Sequence, residues 1–86
     1  MIILYVLKGN KGKRYVGITN KLARRLEEHR SKSTQAGKLL GDFSLLYTEK
    51  FEDYRTAREQ EKFLKSGKGR QWLDEFESKS RLARGG

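Results

Sequence analysis

The sequence predicts a small α/β (α+β) domain, a three-stranded antiparallel sheet flanked by helices in the order β-β-α-β-α-α. Two apolar runs rich in β-branched and aromatic residues, Ile2 to Leu7 and Arg14 to Thr19, are separated by the short loop Gly9-Asn10-Lys11-Gly12, the pattern of a hairpin. A third such run, Phe43 to Lys50, stands between two stretches of helical periodicity. Strands and helices this short bury their apolar faces by covering one sheet with helices.

Asn20 is a good N-cap, and in Lys21 to Arg30 the residues Leu22 and Leu26 lie one turn apart, so a helix comes after the hairpin. Its last turn carries His29 and Arg30, which suits the negative end of the helix dipole. Ser31 to Gly41 is polar with two glycines and reads as a loop. After the third strand, Glu52 or Asp53 caps a helix that runs to about Ser66, with Gly67 as its left-handed stop. Gly69 allows a break before a short final helix, where Trp72, Leu73 and Phe76 present a face to dock. Residues 1–77 form the domain, and 78–86 read as a basic, flexible tail with nothing to bury.

The chain has 86 residues, and one small domain is all that this length supports. With no cysteine, disulfides, thiolate zinc sites and a cysteine nucleophile are excluded together. The first seven residues lack the basic leader of a signal peptide and no apolar run approaches a membrane span, so a cytoplasmic protein that avoids membranes is expected. Twenty Lys and Arg against eleven Asp and Glu give a net charge of +9. The excess is concentrated in residues 8–38, where ten basic residues face only Glu27 and Glu28. Such density draws polyanions, and nucleic acid is the leading partner class.

Four features have both a structural and a functional reading. If the loop centres on Asn10, Tyr5 and Tyr15 sit directly opposite and share one sheet face, whereas a one-residue slip would part them; the pair suits either aromatic sheet packing or a site. Gly17 weakens the second strand, as a bulge or a close approach of another group would require. Arg25 and His29, four apart, project from one helix face. At roughly 100° per residue, Glu61 falls on the apolar stripe of Tyr54, Ala57 and Leu64. A carboxylate facing a core needs a cation, a metal or a role in a site, and Arg25 is a natural partner for it.

Ile3-Leu4-Tyr5, then Tyr15-Val16-Gly17, the helical Arg25 and the Glu61 helix together resemble the GIY-YIG nuclease domain, over about Ile2 to Leu73. The likeness is to the small, stand-alone, single-domain bacterial members related to the catalytic domain of the excision-repair nuclease subunit. In those members the second helix and the residues just beyond it read much like Ala57 to Arg70 here.

The resemblance implies a metal-dependent endonuclease of DNA repair or recombination, hydrolysing DNA phosphodiesters by in-line attack of water. Tyr5, Tyr15, Arg25, His29 and Glu61 would be catalytic. Glu61 would hold one Mg²⁺ or Mn²⁺, since such ions are commonly bound by one or two carboxylates plus waters and phosphate oxygens. Arg25 would steady the charge growing on phosphorus. Tyr15 would be the general base, with Tyr5 hydrogen-bonding to water or phosphate and His29 the alternative base. Gly17 would leave space for the phosphate backbone. Lys8, Lys11, Lys13, Arg14, Lys21, Arg24, Lys32 and Lys38 would contact phosphates without reading bases, joined by Lys65, Lys68 and Arg70. RNA is the other candidate substrate, a partner protein is the expected source of specificity, and a monomer or weak homodimer is expected. The rival is a non-catalytic nucleic-acid-binding module that keeps the same fold.

Overall fold

A computed structural model describes residues 1–31 and 34–85, with side chains described as far as 79. The elements are β1 (Ile2–Gly9), β2 (Arg14–Thr19), α1 (Leu22–Arg30), α2 (Gln35–Leu40), β3 (Phe43–Phe51), α3 (Tyr54–Lys65) and α4 (Gly67–Gly85). The predicted order holds, with α2 as an addition inside the segment read as a loop. Its start is set by Thr34, whose hydroxyl accepts the Gly37 N–H at 3.0 Å. Gly37 lets the new helix lie close against α1, because a Cβ there would sit 2.2 Å from the His29 carbonyl oxygen.

The sheet is antiparallel with strand order β2-β1-β3. A central strand covered on both faces must be apolar throughout, which is why β1 reads as a continuous apolar run rather than an alternation. Leu4 and Val6 of β1 join Val16, Leu64 and Leu73 in one core, under α3 and α4. Tyr5 and Leu7 point the other way and join Leu26 and Leu40, under α1 and α2. The cationic hairpin and the tyrosines are thereby tied to two different helical layers.

The hairpin register pairs Tyr5 with Gly17 and Leu7 with Tyr15. The loop therefore centres one residue beyond Asn10, with Gly12 at φ 85° in its turn. That moves the pairing by two residues, so Tyr5 and Tyr15 keep their shared face but lie diagonally rather than opposite.

Helix ends account for the other differences. α1 starts at Leu22 after Lys21, and the Lys21 N–H donates to Thr19 Oγ1 at 3.1 Å, so Asn20 does not cap it. Asp53 caps α3 as expected, accepting from the Thr56 N–H at 2.8 Å. The break after α3 comes from extended Ser66, not from a left-handed Gly67, which is the first residue of α4. Gly69 lies within α4, where a Cβ would fall 2.0 Å from the Phe63 carbonyl oxygen, so the two helices meet only because it is glycine. Residues after Ser78 continue α4 as helix to Gly85, in place of the short final helix expected, because Lys, Arg, Leu and Ala are good helix formers. Leu73 is the buried anchor of α4, and Trp72 and Phe76 stack beside Tyr47 at 5.3 and 5.2 Å.

Candidate active site

β1 and β2 carry the two tyrosines on the face that α1 covers. The rings of Tyr5 and Tyr15 lie 6.1 Å apart, and the His29 ring packs against both at 5.8 and 5.3 Å. Gly17 is buried beneath them: a Cβ there would lie 2.6 Å from the Tyr5 hydroxyl and 2.9 Å from the Tyr15 ring. The space expected for a phosphate backbone is thus filled by the Tyr5 phenol, and glycine is what seats that ring.

His29 is fully buried at the end of α1, with both nitrogens occupied. Nε2 meets the Tyr5 hydroxyl at 2.9 Å and Nδ1 meets Thr34 Oγ1 at 2.6 Å. Thr34 escaped the reading of the sequence. Threonine is a good N-cap residue, but nothing local announces a histidine partner.

Tyr5 is 1% exposed, and burial pushes its hydroxyl pKa up to about 12, against the opposing pull of the Arg25 guanidinium beside it. Hydrogen bonding to Tyr5, then to Glu28, holds Arg25 above its ordinary range. Arg25 also pairs with Glu28 at 3.0 Å, with its side chain 38% exposed. Of the three, Tyr15 and Arg25 retain access to solvent and Tyr5 does not.

Burial, reinforced by the Arg25 charge, lowers the His29 pKa below its ordinary 6.5. The unfolded chain therefore takes up the proton first. The stability this neutral ring contributes is complete above about pH 6.5 and is lost as pH falls toward the depressed folded value. The urea midpoint of the wild type is expected to drop between about pH 7 and 5, and that slope should flatten in His29→Gln. An equal slope in both proteins would show that the ring is not what titrates.

Glu61 stands on α3, which packs on the opposite sheet face. Its carboxylate is paired with Lys65 at 3.1 Å, not with Arg25. Helical spacing explains the partner, since residues four apart adjoin on one face. The Glu61 side chain is 19% exposed and that of Lys65 52%, so the stripe position is half-buried and its cation reaches solvent. An open groove of about 660 Å³ along the free edge of β2 is lined by Lys13, Arg14, Tyr15, Leu64, Lys65 and Arg70, among others. It brings Tyr15 and the partner of Glu61 to one opening.

The remaining cations divide. Lys8 is paired with Glu77, and Arg14 with Asp74 and, at 3.3 Å, Glu77, so α4 neutralises both. Lys11, Lys13, Lys21, Lys38, Lys65, Lys68 and Arg70 are exposed, as is Arg24, 3.9 Å from Glu28. Lys32 lies outside the described residues. No group of three or more His, Cys, Asp or Glu among the described residues could hold a metal ion. The lone Glu61 carboxylate suits a hard cation that completes its shell with water and phosphate oxygens, and its exposed ion pair is weak enough to yield to one.

No helix among the described residues is long and apolar enough to cross a membrane. No curated protein matches the chain. Its fold is similar to the solution NMR structure of the UPF0213 protein BH0048 from Bacillus halodurans, with a TM-score of 0.55 and 28% identity, over 87% of this chain and 84% of that one. The family model for the GIY-YIG catalytic domain matches residues 1–79. The tyrosine pair, the glycine beneath it and the arginine at its rim are thus features of a chain that belongs to the GIY-YIG catalytic domain family, a family of nucleases.

Proposed function

We propose that this chain is a metal-dependent endonuclease that hydrolyses DNA phosphodiester bonds by in-line attack of water. The observation that carries the reading is a half-exposed tyrosine and a half-exposed arginine held over a buried Tyr5–His29 base, beside a groove lined by cations. Arg25 presents fixed donors to the charge that develops on phosphorus. Tyr15 would take a proton from water. Tyr5 and His29 are too buried to meet substrate and act through Tyr15 and Arg25. Lys13, Lys65 and Arg70 would hold the phosphate backbone along the groove, without reading sequence. Glu61 would hold one Mg²⁺ or Mn²⁺, which when bound acidifies water and offsets phosphate charge.

The second reading, a non-catalytic DNA-binding module, is favoured by one observation: Lys65 already satisfies Glu61. A cleavage assay with Mg²⁺ and Mn²⁺ on single-stranded, duplex, flapped and branched DNA and RNA separates the two. Metal-dependent nicking is expected, and Arg25→Ala should slow it about 100-fold or more while the protein stays folded. Salt-sensitive binding without cleavage of any substrate would favour the module.

A further inference from the structure

A polar line under the site runs from Thr34 through His29 to Tyr5. Thr34 Oγ1 accepts the Gly37 N–H at 3.0 Å, which leaves its own O–H to donate. Nδ1 of His29 lies within reach of that O–H, at 2.6 Å. A neutral imidazole carries one proton, so a bare Nδ1 places it on Nε2. In that tautomer Nε2–H would donate to the Tyr5 oxygen, 2.9 Å away. The two lengths fit this order: the shorter suits a hydroxyl donor and the longer a ring N–H.

The Tyr5 oxygen, accepting from His29 and flanked by the donor-only Arg25, turns its own O–H outward. On that side the neighbouring phenol is Tyr15, its ring 6.1 Å from that of Tyr5. Burial of His29, which disfavours the imidazolium, keeps the ring in the neutral form that the arrangement requires. The packing of Gly37 against the His29 carbonyl holds the start of α2, and with it Thr34, in place.

We propose that Thr34 is a positioning residue whose hydroxyl fixes His29 as the Nε2–H tautomer and thereby directs the Tyr5 O–H onto the Tyr15 oxygen. A donor aimed at a phenol oxygen favours the ionised form, the form that takes a proton from water. The catalytic part of this inference rests on Tyr15 being the base; the tautomer does not.

His29 is the chain's single histidine, so its ring nitrogens give one unambiguous set of ¹⁵N NMR signals. The wild type is expected to show a protonated Nε2 and an unprotonated Nδ1. Thr34→Ser keeps the hydroxyl and should keep this pattern. Thr34→Gly retains a good N-cap residue but no hydroxyl, and should shift population to the Nδ1–H form while the rest of the spectrum stays folded. In cleavage assays, Thr34→Gly should move the pH–rate profile up by about one unit with KM unchanged, and Thr34→Ser should not.

A wild-type ring protonated on Nδ1 would overturn the proposal, as would an unchanged tautomer in folded Thr34→Gly. A changed tautomer with an unmoved pH profile would cut the link to Tyr15. If no protein cleaves, the nuclease reading fails, while the ring signals still decide the tautomer.

Discussion

Glu61→Gln is expected to abolish metal-dependent cleavage, by about a thousandfold or more, while leaving the fold and the affinity for DNA intact. Gln preserves the shape of the side chain and removes the charge that a divalent ion needs, and such an ion contributes several kcal/mol to the barrier. The structural cost is small because the lost pair, Glu61 with Lys65, has a partner that is half exposed. Exposed pairs of this kind contribute about 1 kcal/mol or less. Circular dichroism and thermal melting of Glu61→Gln should match the wild type, and DNA binding should hold or tighten as one negative charge is removed. A variant that unfolds would reveal a purely structural carboxylate, and one that cleaves normally would place the metal elsewhere or dispense with it.

Gly17→Ala should be nearly as damaging, by a different route. One methyl group would meet the Tyr5 hydroxyl at 2.6 Å, the adjoining ring carbon at 2.7 Å and the Tyr15 ring at 2.9 Å. Tyr5 cannot retreat, because His29 stands behind it at hydrogen-bond distance. Overpacking of this kind costs about 1 to 3 kcal/mol, and here it displaces both phenols. Cleavage should fall by at least about 100-fold, since small misplacements of catalytic groups have effects of that size. The melting temperature should fall as well. Phosphate binding at a bare glycine predicts something else: weaker substrate affinity with unaltered stability. A variant that loses KM alone would therefore restore that role to Gly17.

The parts of this molecule legible in the sequence are those governed by short-range rules. β2 spans the run Arg14–Thr19 that its pattern marks, and Asp53 caps α3 because its carboxylate can accept an otherwise unpaired N–H of the first turn. The tyrosine pair keeps its shared face despite a two-residue change of register, since side chains alternate with a period of two. What the sequence hides depends on contact between distant segments. Gly69 looks like a helix breaker until α3 is seen pressing on it, and Gly17 looks like an opening until Tyr5 is seen filling it. Lys8 and Arg14 belong to a cationic cluster along the chain, yet α4 supplies Glu77 and Asp74 from some 60 residues away. The Glu61 stripe was readable, but its cation was next door at Lys65 rather than across the fold.

The place of β1 in the middle of the sheet also sets how the site moves. Its amides are paired on both sides and its side chains are buried on both faces, so β1 belongs to the segment of the chain that opens last. Tyr5 is part of that segment. Tyr15 rides on an edge strand and Arg25 on a short helix, which lie nearer the low-energy end of local opening. The site thus joins a rigid floor to a pliable rim. The rim can adapt to the backbone of a bound strand while Tyr5 stays in place below it.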